Sequence, residues 1–514
     1  MTPCLRPLLF GLVLLPLAAQ ADRPLAVVAP WEITGLDPST SGYVFARMRV
    51  AETLIDTDAD GQPAPGLASG WQVSDDGLTW RFTLREGVSF HDDSPLTAQA
   101  AASSLEHALA KPGILDSAPI VAIEAEDADV VVHLDSPFAP LPALLAHSTT
   151  LILAVDAFDD EGRAAQMIGT GPYRVASVAP PQRLTVERFD GYWGETPAIG
   201  SASYLAVGRG ETRTLMAESG DADVVFTLDP ASRARLARHD RLALHAEPLP
   251  RTIVFKLNAE HPFLEDERAR QALSLAIDRE GIAAGLLRHP EAAAAELFPA
   301  SLGPWHLGLN TNGGLAADVA QDVERARELL TELGWETNGR GMLERDGEPF
   351  QLTLRTFSDR PELPLVATAL QDQWREIGVA LEVAVGNASE IPSGHRDGSL
   401  ELGLMARNYG LVPDPLGTLL DDFGTDPETM GGDWGAMGWR DADVAAWLDT
   451  LRQEADMDAR AELAGQVARR LNEAMPVVPV AWYQQTAAVN AELEGFSIDP
   501  LERSYRIDEL RWGE

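Results

Sequence analysis

An α/β protein of two or more lobes is what this chain predicts, and three observations carry that prediction. Strand-like and helix-like segments alternate along it, glycine and proline punctuate them with no fixed-period repeat, and the chain is far too long for one core. Met1 to Ala21 carries one basic residue, Arg6, then the apolar run Leu8 to Ala19 and the small-x-small triplet Ala19-Gln20-Ala21. That pattern reads as a secretory signal, cleaved after Ala21 and too short to be retained as a membrane span. Its removal leaves 493 of 514 residues, well past the roughly 250–300 at which a single core stops growing.

Composition narrows the functional classes. There are 79 acidic against 40 basic side chains, a net charge of −39, and only Lys111 and Lys256 are lysines. Nucleic-acid binding is excluded, because neutralising phosphates needs a basic surface. The single cysteine, Cys4, lies inside the signal and is no lipid anchor, so the mature chain has no disulfides and depends on core burial. No later segment reaches the roughly 18 apolar residues of a membrane helix.

Residues 22 to about 85 alternate apolar and polar, with turn clusters at Asp58-Ala59-Asp60-Gly61 and Ser74-Asp75-Asp76-Gly77 that predict hairpins. Helices are expected at Leu96–Leu109, Arg268–Ile277, Asp322–Leu333, Leu365–Ile377, Asp441–Leu451 and Ala461–Met475, and strands at Val130–Leu134 and Val379–Val383. Val477–Trp482 reads as a buried strand that crosses back toward the first lobe and so forms a hinge. The expected division is 22–250 for lobe I, with an extra subdomain at about 45–165, then 251–484 for lobe II, and 485–514 returning to lobe I.

Three blocks carry a family resemblance. Gly66-Leu67-Ala68-Ser69-Gly70-Trp71 is followed by Asp76 to Arg85 and Gly87 to Asp92; Gly169-Thr170-Gly171-Pro172-Tyr173 by Tyr192-Trp193-Gly194 and Pro197; and Leu257-Asn258 by the Arg270–Asp278 helix. Together they resemble the extracytoplasmic solute-binding proteins of family 5, the peptide and nickel class, over nearly the whole mature chain. The resemblance implies a two-lobed periplasmic binding protein, cluster C (type II), with an enlarged first lobe, delivering a small ligand as a monomer to an inner-membrane ABC permease and its ATPase. The signature glycines, with Trp71 and Trp80, read as turn and core residues.

Leu297 to Ser301, Leu307 to Leu309, Arg396-Asp397-Gly398, Tyr409-Gly410 and Asp414-Pro415 are most similar to the nickel-binding branch. Peptide binders place an aspartate three residues before Asp-Pro, and here that position is Leu411, which cannot neutralise an ammonium. The resemblance maps the ligand pocket onto Tyr43 or Val44, Ser148 beside His147, Arg396, Tyr409 and Arg503. Arg396 is the strongest match, its fork suited to a carboxylate, though a solvated surface charge is its alternative. His147 is the one metal-ligand candidate, against burial as a core histidine. Trp434, with Trp439, is a cleft candidate or a packing residue. The family's second pocket arginine falls at Ser148, and its pocket tryptophan, near Asp116, is missing.

Ten histidines show no metal-ligand spacing, so no direct metal cage and no cofactor are expected; the resemblance implies that nickel would enter only inside a chelate ligand. Asp56-x-Asp58-x-Asp60-Gly61 imitates a calcium loop but has Leu67 where the bidentate glutamate belongs. Phe90-His91-Asp92-Asp93 alternates faces in an extended chain. No Gly-x-Ser-x-Gly or P-loop occurs, so no catalytic residues are assigned. The expectation is a receptor for a nickel chelate or similar carboxylate-rich molecule, with an oligopeptide, dipeptide or opine receptor as the alternative and an exported hydrolase third.

Overall fold

The computed structural model describes residues 23–513 apart from 59–60, 112, 312–313, 316–319 and 425–431. The expected signal segment, 1–21, lies outside the described residues, as does Asp60 of the calcium-loop imitation.

Two long strands organise the molecule. Leu242–Leu257 and Val477–Asn490 pair antiparallel, from Leu242 opposite Asn490 to Lys256 opposite Val477, at the middle of a ten-stranded sheet. To one side lie Leu402–Asn408, Gln351–Phe357 and Ala380–Gly386; to the other Val224–Phe226, Leu25–Ala29, Ser201–Ala206, Arg183–Arg188 and Tyr173–Ala179. The register of the long pair slips between Pro248 and Thr252 and again between Ile253 and Val254. Pro248 and Pro250 have no N–H to give the ladder, so a break is placed where the chain passes between cores.

Apolar burial follows that break. Val477 to Val478 and Val480 to Ala481, with Tyr483, pack into one large core with Phe255, Trp335, Trp374 and Leu404. Ala487 and Val489, on the same strand, pack into another with Leu25, Val44, Phe45, Tyr173 and Tyr204. The strand expected at Val477–Trp482 thus continues to Asn490 and serves both bodies. A third core belongs to the four-stranded sheet Ala68–Val73, Thr79–Leu84, Asp129–Leu134 and Ile120–Glu126, backed by the helix Ala98–Leu109. Val412, from the far body, is buried in this third core, so the bodies are in contact across the cleft.

Several helices begin where the sequence offers an oxygen cap. Thr97 accepts from the Ala100 N–H at 3.2 Å, Asp322 from Arg325 at 2.8 Å and Asp456 from Ala459 at 2.9 Å. Hence Ala98–Leu109 starts two residues later than its apolar pattern suggests, and Met457–Ala474 starts four earlier. Both predicted hairpins form, Ile55–Thr57 with Pro63–Pro65 and Ala68–Val73 with Thr79–Leu84.

Candidate ligand-binding site

A cavity of about 580 Å³ lies between the bodies. Its wall is drawn from segments distant in sequence: Trp31, residues 41–58, residues 146–149, Tyr192 and Trp193, Asn408 and Leu411, and residues 499–509. Among the described residues the far body contributes Asn408, the last residue of Leu402–Asn408, and Leu411 just beyond it.

The signature blocks build part of this wall. Gly169 and Gly171 carry no positive φ; what demands glycine is close approach. A Cβ on Gly169 would lie 2.6 Å from that of Ala51, and one on Gly171 would run into the Arg49 carbonyl. Gly171 and Tyr173 donate to the Val50 and Arg49 carbonyls at 3.1 and 3.3 Å. This clamps the 49–52 segment, and Glu52 accepts from Thr170 Oγ1 at 2.9 Å, Tyr192 Oη at 3.0 Å and Trp193 Nε1 at 3.0 Å. The turn-and-core reading of these blocks is therefore incomplete, because Thr170, Tyr192 and Trp193 fix a carboxyl in the cavity wall. Burial pushes the Glu52 carboxyl up, against the Arg49 guanidinium and its three donors.

Four of the residues predicted from sequence meet at the cavity: Tyr43, His147, Ser148 and Arg503. Of the pair Tyr43 or Val44, the tyrosine faces the cavity region and Val44 is fully buried in core. Arg503 donates to Asp56 Oδ1 at 2.5 Å, Thr57 Oγ1 at 2.7 Å and the Ala146 carbonyl at 3.1 Å. Burial would raise Asp56, but the Arg503 and Arg49 guanidiniums hold its carboxyl below the usual range.

Arg396, Tyr409 and Trp434 are not brought to the cavity. Arg396 ends the helix Glu390–Arg396, where a cation suits the carbonyl end, and its side chain is 60% exposed and paired with Asp433. Tyr409 is buried against Phe298, ring centroids 5.2 Å apart. Trp434 packs on the far body's core and Trp439 meets Phe423 edge-on. Asp116 is also absent from the cavity wall.

Sequence reading missed most of the charged wall. Four arginines, Arg47, Arg49, Arg503 and Arg506, face seven carboxyl groups, those of Glu52, Asp56, Asp58, Asp499, Glu502, Asp508 and Glu509. The arginines are already engaged: Arg47 Nε donates to the Glu502 carbonyl at 2.7 Å, Arg49 Nε to Asp508 at 3.0 Å, and Arg506 to Ser497 at 2.9 Å. Behind the wall residue Glu502 the sign reverses, among three guanidiniums of which Arg47 alone lines the cavity. Glu502 pairs with Arg251 of the long strand and lies beside Arg47 and Arg360, whose guanidiniums outweigh burial and keep its carboxyl low. Arg360 sits 4.7 Å above the Tyr483 ring. Arg47 Nη1, Arg251 Nε and Nη1 and Arg360 Nη1 are buried there with no hydrogen-bond partner among the described residues.

Among the described residues no group of three or more His, Cys, Asp or Glu is placed to hold a metal ion, and no helix is long and apolar enough to cross a membrane.

Two α/β bodies joined by paired strands, with a charged cavity between them, define a protein built to enclose a small solute. The chain belongs to the bacterial extracellular solute-binding proteins of family 5, whose middle-region model matches residues 62–428. It is 27% identical over 417 residues to the nickel-binding periplasmic protein of Escherichia coli, covering 77% of each chain. It is 25% identical over 470 residues to the dipeptide-binding protein of the same organism, covering 85% of this chain and 84% of the relative. NikA from Brucella suis, solved with Fe(III)-EDTA, shares the fold with a TM-score of 0.85 at 23% identity, over 96% of this chain and all of that one.

Proposed function

We propose that this protein is the periplasmic, exported solute-binding component of an ABC importer, and that its solute is zwitterionic, a short peptide or amino-acid derivative such as an opine. The observation that supports this reading is the split of charge along the cavity. The wall carries seven carboxyl groups against four arginines, an excess that favours an ammonium group. Behind the wall, buried guanidinium N–H groups of Arg47, Arg251 and Arg360 have no partner among the described residues, and of the three Arg47 lines the cavity. A carboxylate is the group that satisfies several such donors at once, and leaving each unmade costs about 1–3 kcal/mol. The ammonium does not need an acid at Leu411, because the wall's carboxylates other than Glu52 supply the opposite charge.

Capture would proceed by closure about the paired strands, driven by the solute's higher affinity for the closed form, which then engages the permease. The protein's own groups bind and orient the cargo without altering it. A second reading, a nickel chelate of an amino acid, is favoured by the likeness to the nickel-binding relative; a carboxylate-rich chelator fits less well, since the Arg396 fork lies outside the cavity.

Mass spectrometry of solutes carried through purification, followed by calorimetry with L-alanyl-L-alanine and with nickel plus L-histidine, distinguishes the two. The first reading expects saturable binding of the dipeptide, weakened about tenfold or more by Arg47→Met, which removes one charged hydrogen bond. Binding of the nickel chelate alone would transfer the assignment to the second.

A further inference from the structure

His147 lies on the cavity wall between Ala146, whose carbonyl holds Arg503, and Ser148. It caps the short turn Ser148–Thr150: its Nδ1 accepts the Thr149 backbone N–H at 3.2 Å and lies 2.8 Å from Thr149 Oγ1. A backbone N–H only donates, so the Nδ1 lone pair is committed to it. The ring is kept neutral, pushed down to about 4 by burial and then by the neighbouring Arg503 guanidinium. A neutral imidazole with an accepting Nδ1 carries its hydrogen on Nε2. No described protein group is bonded to Nε2.

A metal-ligating histidine has the opposite polarity: one nitrogen offers its lone pair to the metal while the other donates its N–H to an oxygen. For Nε2 to bind a metal here, the hydrogen would have to move to Nδ1 and break the cap on Thr149. We infer that His147 is a specificity-determining donor, presenting Nε2–H to an acceptor oxygen of the solute, a carbonyl or carboxylate, and that it binds no metal ion. This rests on the reading of the cavity as the solute site. It also turns the one histidine that composition offered to a metal into a group that selects for oxygen acceptors at any pH from about 5 to 8, because a neutral donor does not change charge across that range.

Two variants separate the cap from the donor. Asn at 147 keeps a capping oxygen but is too short to reach where Nε2 lies, and Gln at 147 reaches that position with an amide N–H. Calorimetry on the full mature protein would use L-alanyl-L-alanine and nickel plus L-histidine as probes, with nickel sulfate alone as control. The expected result is about a tenfold loss for His147→Asn, one hydrogen bond's worth, and largely restored affinity for His147→Gln. Ring nitrogen NMR of histidine-labelled protein, with the His147 signal assigned by its absence in His147→Asn, is expected to show the Nε2–H form, unchanged between pH 5.5 and 8 and unmoved by nickel sulfate. A ring hydrogen on Nδ1, a nickel-induced shift, or equal affinity of wild type and His147→Asn for a probe that does bind would overturn the inference alone. Failure of both probes to bind wild type would overturn the reading of the cavity, and this inference with it.

Discussion

At Glu502 three guanidiniums, those of Arg47, Arg251 and Arg360, converge on one buried carboxylate. Breaking a buried ion pair from one side leaves uncompensated charge and costs about 3–5 kcal/mol. Glu502→Gln is therefore expected to lower the thermal midpoint by several degrees, and Arg251→Met with Glu502→Leu by less than either change alone; equal or additive losses would show that the charges do not interact. Two buried histidines contribute to the pH response. Burial pushes both His91 and His147 down to about 4, below the unfolded value of about 6.5. Above 6.5 neither state binds the proton. Below it the unfolded chain takes up protons that the folded chain refuses, so stability falls as pH drops from about 6.5 toward 4. Thermal unfolding at pH 5 is expected to begin earlier than at pH 7, with the gap narrowed in His91→Gln; an unchanged gap would locate the effect elsewhere.

Elements were legible where a local signal was sufficient. The caps Asp322 and Asp441 sit at the helix starts their apolar spacing indicates, whereas Asp456 opens its helix four residues before the expected start; the glycine-bearing turns at 58–61 and 74–77 sit in hairpins. Leu242–Leu257 escaped the pattern because it is not buried until past Pro248 and holds Pro248 and Pro250 near its middle, which argue against a central strand from sequence alone. The cavity was legible at Tyr43, Ser148, His147 and Arg503 through family likeness, and illegible at Arg47, Glu52 and Asp56 because their roles arise from contacts across long sequence separations, such as Trp193 with Glu52. Asp56 stood in plain view inside the discarded calcium-loop pattern. Two tests belong at this scale. Gly171→Ala forces a methyl into the Arg49 carbonyl and is expected to destabilise by about 1–3 kcal/mol while also weakening solute binding, since the 49–52 segment must shift. Asp456→Ala removes only a cap, an expected loss of about 1 kcal/mol with binding intact. If Gly171→Ala left affinity untouched, the clamp between signature block and cavity wall would be wrong.

For the whole molecule the account depends on two bodies that move about the break in the long strand pair. The sheet is continuous through Leu242–Leu257 and Val477–Asn490, and the slip near Pro248 to Thr252 is where the proposed closure would turn one body on the other. Contact across the cleft, with Val412 in the third core and Arg251 against Glu502, describes the apposed arrangement that a bound solute would favour. Small-angle scattering of protein stripped of its carried-over solute, followed through titration with the solute recovered from it, tests this most directly. The radius of gyration should contract in one step that saturates at one equivalent of solute, and the saturated curve should match the apposed structure. A curve unchanged from empty to saturated, with binding confirmed in the same sample, would contradict capture by closure.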